Sequence, residues 1–148
     1  ALPLALEDDL RVGQPGFHLG FPQGRAGEAA SQLAARARLV TRGRYEVDEP
    51  VLAWMETGRT EGVEGALSGM SGGPVFNAEG AVVGVTIAES PGRGRIYSAT
   101  PEAVLDFLRR EGVEPTHVSA RPLAASSIEA EAARLRRQLA VVKVICHV

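Results

Sequence analysis

Short runs of apolar residues, separated by glycine or proline, make up most of the first hundred positions. Where apolar and polar residues alternate within such a run, a half-buried β-strand is predicted. The predicted strands lie at residues 13–24 (where the strand runs into a turn), 50–56, 74–76, 81–88 and 95–98. A four-residue turn at residues 77–80 joins two of them, and this is the clearest hairpin signal in the chain.

Residues 28–45 fit two periodicities, because one set of small and apolar residues suits a helix face and an overlapping set suits a strand face. The helical set is Ala29, Ala30, Leu33, Ala34 and Ala37, and the strand set is Leu33, Ala35, Ala37 and Leu39. Helix propensity favours the first interpretation. Strands and turns are predicted on both sides, however, so we expect a strand here, and a glycine-containing loop at residues 57–68.

The pattern becomes helical after residue 99. Thr100, Pro101 and Glu102 are typical of a helix start, with a capping hydroxyl, an N-terminal proline and an acid near the positive end of the dipole. A capping-box pattern at residues 126–129 predicts a second helix to about Leu139, and the β-branched tail at residues 141–146 predicts a strand. We therefore expect a connecting segment at residues 1–12, a β domain at 13–111, and a linker, helix and terminal strand at 112–148.

Composition narrows the function classes. The 148 residues carry 16 Lys and Arg against 18 Asp and Glu, so binding to nucleic acid through a basic surface is not expected. The single cysteine, Cys146, can form neither an intrachain disulfide nor a multi-cysteine zinc site. No apolar stretch has the length of a membrane helix, and we predict neither a metal nor a cofactor. The chain starts at Ala1 rather than at methionine, from which we expect that a segment precedes it.

The hexapeptide Gly69-Met70-Ser71-Gly72-Gly73-Pro74 carries the strongest chemical signal. A serine nucleophile needs a general base and donors for the oxyanion, and flanking glycines let neighbouring N–H groups converge on one point. Such a hexapeptide can also be an ordinary loop. It matches the nucleophile elbow of α/β-hydrolases too, but that elbow requires a following helix, whereas a predicted hairpin follows here.

The hexapeptide, the hairpin after it and the strand at residues 84–88 together resemble the chymotrypsin-like (trypsin-fold) serine peptidases, in particular their bacterial HtrA-like branch. Residues 20–24, Gly-Phe-Pro-Gln-Gly, are similar to the Gly-Tyr-Pro-x-Gly stretch that opens the second barrel in that branch. The resemblance spans about residues 13–108. It implies a mainly β fold, the C-terminal six-stranded β-barrel of a two-barrel peptidase with helices added at the C-terminus.

The resemblance also implies roles for individual residues. Ser71 would be the acyl-forming nucleophile, and the N–H groups of Gly69 and Ser71 would bind the oxyanion. Gly65 would lie at the base of the primary specificity pocket, which favours small or apolar side chains over lysine or arginine. The strand edge at Ile87, Ala88 and Glu89 would pair with a polypeptide substrate. Met70 replaces the aspartate of zymogen-activated relatives, so that activation switch is not expected.

The catalytic base is the open question. His18 and Asp48 precede Ser71 in the expected order, but the spacings leave no room for a barrel between them, and His117 and His147 lie in a linker and in the tail. We therefore expect this chain to be the second half of a peptidase whose His and Asp lie in a missing N-terminal barrel, inactive alone and able to self-associate. Two alternatives stay open, a catalytically inactive peptide-binding module and a self-contained hydrolase using His18 or His117. The family resemblance implies a periplasmic or secreted location.

Overall fold

The computed structural model describes residues 1–7, 9–43, 46–115 and 118–145. Within these residues six strands and two helices follow one another, with short 3-10 turns at Pro22–Gly24 and Pro91–Arg93. The strands are β1 (Pro15–Gly20), β2 (Gly27–Thr41), β3 (Val47–Arg59), β4 (Pro74–Phe76), β5 (Val82–Ser90) and β6 (Arg95–Ala99). The helices are α1 (Pro101–Arg110) and α2 (Ile128–Arg137).

The strands close into one antiparallel barrel in the order β1-β2-β3-β6-β5-β4, with β4 pairing back onto β1. The expected fold class, a six-stranded barrel followed by helices, is therefore confirmed. The predicted hairpin at residues 74–88 is also present, and Asn77 closes its turn by accepting the Ala81 N–H through the side-chain oxygen at 2.9 Å.

Residues 28–45, where two periodicities compete, form a strand as far as Thr41, while Arg44 and Tyr45 lie outside the described residues. β2 pairs with β3 from Ala29 to Thr41 and so forms the longest ladder in the barrel. A helix would have left β1 and β3 without this partner, and the paired backbone outweighs the helix propensity of alanine. β3 continues to Arg59, so the loop that was predicted from residue 57 begins at residue 60.

Side chains of the barrel pack in two layers. The inner layer combines Trp54, Leu33 and Ile96 from the strands with Leu67 and Met70 from the loop after β3. The outer layer covers one wall of the barrel and contains residues of β1, β4, β5 and α2: Phe17, Leu19, Phe76, Val82, Ile128, Ala132 and Leu135. Alternation along β1 thus sends Phe17 and Leu19 outward to α2 and places His18 inside.

The two helices begin differently. At α1, Thr100 caps the helix as predicted, because its hydroxyl oxygen accepts the Ala103 N–H at 3.2 Å. At α2 the predicted capping box is wrong, since Ser127 occupies the cap position and its side chain makes no capping bond there. That hydroxyl instead pairs with the backbone of Ala124, which turns the chain before the helix. α2 ends at Arg137, two residues before the predicted end.

The predicted strand in the tail is wrong for residues 141–145, where the backbone joins no sheet, and Cys146 lies outside the described residues. β-branched residues favour strands, but a strand forms only where its backbone pairs with another strand, and residues 141–145 make no such pairing in the described structure. The tail packs on the surface instead, with Val141 buried against the outer layer and Lys143 Nζ donating to the Gly24 carbonyl at 3.1 Å. In the described residues, neither helix has the length and hydrophobicity needed to cross a membrane.

Candidate active site

Ser71 lies at the exposed tip of residues 60–73, the loop from β3 to β4 that we call the serine loop. Two turns shape the tip, because the Met70 N–H donates to the Leu67 carbonyl and the Gly73 N–H donates to the Met70 carbonyl, each at 2.9 Å. Met70 is almost fully buried in the inner layer and anchors the tip to the barrel. The chain thus holds Ser71 outward on a base fixed by its neighbours.

The serine loop is also bonded to β5. The Gly72 N–H donates to the Thr86 carbonyl at 2.8 Å, and the Thr86 N–H donates to the Gly73 carbonyl at 2.9 Å. One residue further along β5, the carbonyl of Ile87 accepts the Ser71 hydroxyl at 3.3 Å. The serine side chain therefore rests on the strand and is paired with a neutral carbonyl.

Two backbone donors close to this hydroxyl in sequence are unpaired in the described part of the chain. Among the described residues, no hydrogen-bond acceptor is found for the N–H of Gly69 or for that of Ser71. Gly69 has a left-handed backbone, with φ of +101°, and a Cβ at this position would lie 2.4 Å from the carbonyl oxygen of Phe21. Only glycine fits this conformation and this space, so the pair of free N–H groups depends on Gly69.

The serine loop borders two cavities. The larger is an open, mainly apolar cleft of about 680 Å³ between Ser71, Leu4, Val85, Leu108 and the tail at residues 140–144. The smaller, about 110 Å³, lies on the other side of Ser71, with Leu67, Thr86 and Glu89 among its lining residues. The hydroxyl of Ser71 therefore faces a wide groove and a small pocket at once.

β5 presents an edge beside this pocket. β4 pairs with β5 only as far as Val85, whereas β6 pairs with Ala88 and Glu89 on the opposite side. Along Ile87, Ala88 and Glu89, the first side thus meets no strand within the described part of the chain. The Glu89 side chain turns back over the pocket, where its carboxylate accepts the Leu67 N–H at 2.8 Å.

Gly65, which was expected at the base of a specificity pocket, is exposed and does not line the small pocket. Its carbonyl accepts a hydrogen bond from the Arg59 guanidinium at 2.7 Å. The same guanidinium forms a two-point ion pair with Glu56, at 2.5 and 2.6 Å. The bond to Glu56 raises the pKa of Arg59 above its ordinary value, with a further contribution from the charge of Glu89, and Arg59 therefore keeps its charge.

His18 is fully buried inside the barrel and does not reach the exposed tip of the serine loop as a partner of Ser71. Its Nε2 pairs with the Ser31 hydroxyl at 2.8 Å, and its Nδ1 pairs with the Thr86 hydroxyl at 3.2 Å. The ring meets Trp54 edge-on, with 5.7 Å between the ring centres. Burial lowers the pKa of His18 from 6.5 to about 3, so the ring is neutral at physiological pH.

Of the remaining candidates for a base or an acid, only Asp48 lies within the described residues. Asp48 pairs with Arg38 at 2.7 Å on an exposed part of the β2–β3 hairpin, so the structure does not bring it to His18. His117 and His147 lie outside the described residues, as does Cys146.

Several side-chain contacts that shape the site could not be predicted from the sequence. Gln23, Arg59 and the side chain of Glu89 bind the serine loop, and Arg136 binds the turn beside it. The bonded partners of Gln23 lie 41 and 43 positions away, and one partner of Arg136 lies 116 positions away. Only folding brings such pairs together, and no motif or periodicity could have revealed them.

Comparisons with known proteins agree with this fold. The family model described as trypsin-like peptidase domain matches residues 1–85. No curated protein matches the chain significantly. Among solved structures, the chain is similar to the active form of the Rv3671c protease from M. tuberculosis, with a TM-score of 0.60 at 18% identity over 83% of this chain and 53% of that one.

Two further structures have the same fold. The inactive form of the Rv3671c protease aligns with a TM-score of 0.59 at 21% identity, over 76% of this chain and 54% of that one. The HtrA-type protease AlgW with a decapeptide aligns with a TM-score of 0.56 at 18% identity, over 74% and 32%. The chain thus spans about half the length of the Rv3671c structures. With a closed six-stranded barrel, a glycine-flanked exposed serine and a family match over more than half of its length, the chain belongs to the family of trypsin-like peptidase domains.

Proposed function

We propose that this chain is the C-terminal, nucleophile-bearing part of a serine endopeptidase. In this proposal Ser71 attacks the peptide carbonyl and forms the acyl-enzyme, and the N–H groups of Gly69 and Ser71 bind the oxyanion. The observation that carries the proposal is that these two N–H groups, close in sequence to an exposed hydroxyl, find no acceptor among the described residues. Donors held ready for a developing negative charge commonly contribute the largest single share of catalysis in acyl transfer.

The base and its orienting acid are proposed to come from a segment outside this chain. His18 is unsuited to the role, because Ser31 and Thr86 occupy both ring nitrogens and burial holds its pKa near 3. A general base works best when its pKa lies near the working pH. Without a base the Ser71 hydroxyl stays protonated, and we expect the isolated chain to be inactive or nearly so.

The substrate is proposed to be a polypeptide that pairs with the edge of β5 at Ile87, Ala88 and Glu89. An extended peptide can add a strand to such an edge through main-chain hydrogen bonds. The side chain before the cleaved bond would enter the small pocket, which Glu89 covers and whose volume of about 110 Å³ suits small side chains.

The second candidate function is a peptidase-like module that binds peptides without cleaving them. The same β5 edge and free N–H groups would hold a peptide, and the neutral partner of the Ser71 hydroxyl would leave it unreactive. Peptide binding alone does not distinguish this candidate from the first, so reactivity of Ser71 decides between them.

A fluorophosphonate probe tests the proposal. We expect the isolated chain to be labelled no faster than its Ser71→Ala variant. Joined to the segment encoded upstream, the protein should be labelled and should cleave peptides, and Ser71→Ala should lower the rate of cleavage by about 10⁴-fold or more.

Ser119→Ala, a change of an exposed serine in the C-terminal part, is the matched control and should leave both rates unchanged. Rapid labelling of Ser71 in the isolated chain would contradict the need for an outside base. A longer protein that binds peptides at the β5 edge, yet neither reacts with the probe nor cleaves, would establish the binding module instead.

A further inference from the structure

Arg136, on the inner side of α2, makes an unusual concentration of contacts with the barrel. Its guanidinium forms an ion pair with the buried carboxylate of Glu28 at 2.5 Å and donates to the Gly20 and Gly27 carbonyls at 2.8 and 3.0 Å. It also stacks over the ring of Phe21, with 5.2 Å between the guanidinium carbon and the ring centre. Its side chain is only 15% exposed, so this is an interior connection between helix and barrel.

Two of the residues that Arg136 contacts, Gly20 and Phe21, belong to residues 20–23. We call these four residues the support turn, because they are hydrogen-bonded to the serine loop. The Phe21 N–H donates to the Gly69 carbonyl at 3.4 Å, and the Gln23 N–H donates to the Ser68 carbonyl at 2.6 Å. The Gln23 side-chain amide reaches further along the loop and donates to the carbonyls of Glu64 and Ala66, at 2.5 and 3.0 Å.

The support turn is held in an unfavourable backbone conformation. Gln23 has a φ of +52°, in the left-handed region that residues with a Cβ rarely adopt. Such strain persists when surrounding contacts over-determine the conformation. Arg136 supplies several of those contacts at the opposite end of the turn, on Gly20 and Phe21.

We propose that Arg136 is a positioning residue that sets the placement of the Gly69 and Ser71 N–H groups through the support turn. The route consists of direct contacts: Arg136 holds Gly20 and Phe21, and Phe21 and Gln23 hold the backbone of Ser68 and Gly69. The inference rests on the proposed function for its catalytic consequence, but the geometric part stands independently of it. Arg136 also lies beyond residues 1–85, which the family model matches, so α2 would add control of the site from a C-terminal element.

The geometric part is tested by NMR on the 148-residue chain. Arg136→Met keeps much of the side-chain length and removes the charge and all three donated bonds. We expect this variant to shift the backbone amide resonances of Gly69 and Ser71. We also expect hydrogen exchange of the Gln23 backbone N–H to become about tenfold faster, because local opening of the support turn becomes easier. The indole N–H of Trp54, bonded to Ser98 in the barrel interior at 2.9 Å, should keep its exchange rate and so report an intact barrel.

Arg137→Met is the matched control, because Arg137 is the next residue of α2 and points its side chain to solvent. Arg136→Lys keeps a charge for Glu28 but cannot reproduce the planar fork, so it should restore the Gly69 and Ser71 resonances only partly. Arg136→Met could fail to fold because it leaves the Glu28 carboxylate buried without a partner. In that case the double variant Arg136→Met/Glu28→Gln, which removes this charge, is used in place of the single variant. Gly69 and Ser71 resonances that move no more than in Arg137→Met would overturn the proposal.

The catalytic part is tested in the protein that includes the upstream segment. We expect Arg136→Met to lower kcat for peptide cleavage by about tenfold with KM nearly unchanged, less than the 10²–10³-fold loss typical of deleting an oxyanion donor. An unchanged kcat beside shifted resonances would overturn the catalytic role. If the wild-type protein itself neither cleaves nor reacts, the proposed function fails, while the resonances of Gly69 and Ser71 still judge the geometric part.

Discussion

Single residues in the serine loop differ in what they require from their surroundings. Gly69 lies two residues before Ser71 and Gly72 directly follows it. Both glycines have left-handed backbones, with φ of +101° and +86°. A Cβ on Gly69 would collide with the support turn at 2.4 Å, whereas a Cβ on Gly72 would meet open space. An alanine at Gly72 would therefore cost only backbone strain, whereas an alanine at Gly69 would cost backbone strain and a steric clash.

We expect Gly72→Ala to lower the free energy of unfolding by about 1 kcal/mol, the typical cost of a left-handed alanine, and Gly69→Ala to lower it by at least about 2 kcal/mol. Urea unfolding of both variants measures the difference. Equal losses in the two variants would show that the contact between Gly69 and Phe21 does not constrain the loop.

His18 makes stability depend on pH. Its pKa is about 3 in the folded chain and near 6.5 when unfolded, so between these values the unfolded state binds the proton more readily. Neutral His18 therefore contributes fully to the free energy of unfolding well above pH 6.5. This contribution is lost as the pH falls from about 6.5 toward 3. We expect the free energy of unfolding to drop by about 2 kcal/mol between pH 6.5 and pH 5 from this group.

Denaturant titrations at these two pH values check the expectation against His18→Gln, which presents hydrogen-bonding groups to Ser31 and Thr86 but does not titrate. The carboxylates contribute equally to both proteins. The drop should therefore be smaller in His18→Gln, and an identical drop would assign the pH dependence to groups other than His18.

At the scale of whole elements, the barrel and the helices are stabilised differently. Backbone pairing around a closed ring fixes the strands, as the long β2–β3 ladder illustrates. The helices depend on their ends and on one packed face. α2 buries Ile128, Ala132 and Leu135 against the outer layer although its first turn lacks a capping side chain. Its position therefore follows from packing rather than from local capping.

The two helix starts give a paired test. Thr100→Ala should lower the free energy of unfolding by about 1 kcal/mol, because it deletes the bond to the Ala103 N–H. Ser126→Ala should change it by no more than about 0.3 kcal/mol, since the capping box at residues 126–129 is not formed. Thermal unfolding of both variants measures this contrast. If Ser126→Ala lowered the free energy of unfolding as much as Thr100→Ala, Ser126 would cap α2 after all.

At the scale of the whole molecule, an open apolar surface lies beside the site. The cleft of about 680 Å³ is lined by Leu4, Val85, Val104 and Leu108 and by the tail, in which Val142 and Val144 are 56% and 81% exposed. Contiguous apolar surface of this kind marks a contact region in soluble proteins. In our proposal the upstream barrel covers it, and in the isolated chain it is open.

We therefore expect the isolated chain to self-associate through this cleft. Light scattering over a range of concentrations should show the mean mass rising from that of one chain toward that of two. Leu108→Glu should keep the chain monomeric, since burying a carboxylate in an apolar contact is costly, and Val12→Glu, at an exposed residue that does not line the cleft, is the control. A constant mass equal to one chain at every concentration would contradict the expectation.

The sequence by itself determined the strands other than β2, the hairpin, the start of α1 and the glycine-flanked serine, because these depend on alternation and on turn and cap residues close together in the chain. Only the tertiary structure decided the course of residues 28–45, which required a partner strand, and that of the tail, which packs on the outer layer and joins no sheet within the described residues. It also decided the fate of His18, whose position in the sequence allowed a catalytic base and whose burial between Ser31 and Thr86 makes it a neutral core residue. The contacts of Gln23, Glu89 and Arg136 with the site were likewise invisible beforehand, since they join residues that are distant along the chain and become neighbours only when the barrel closes.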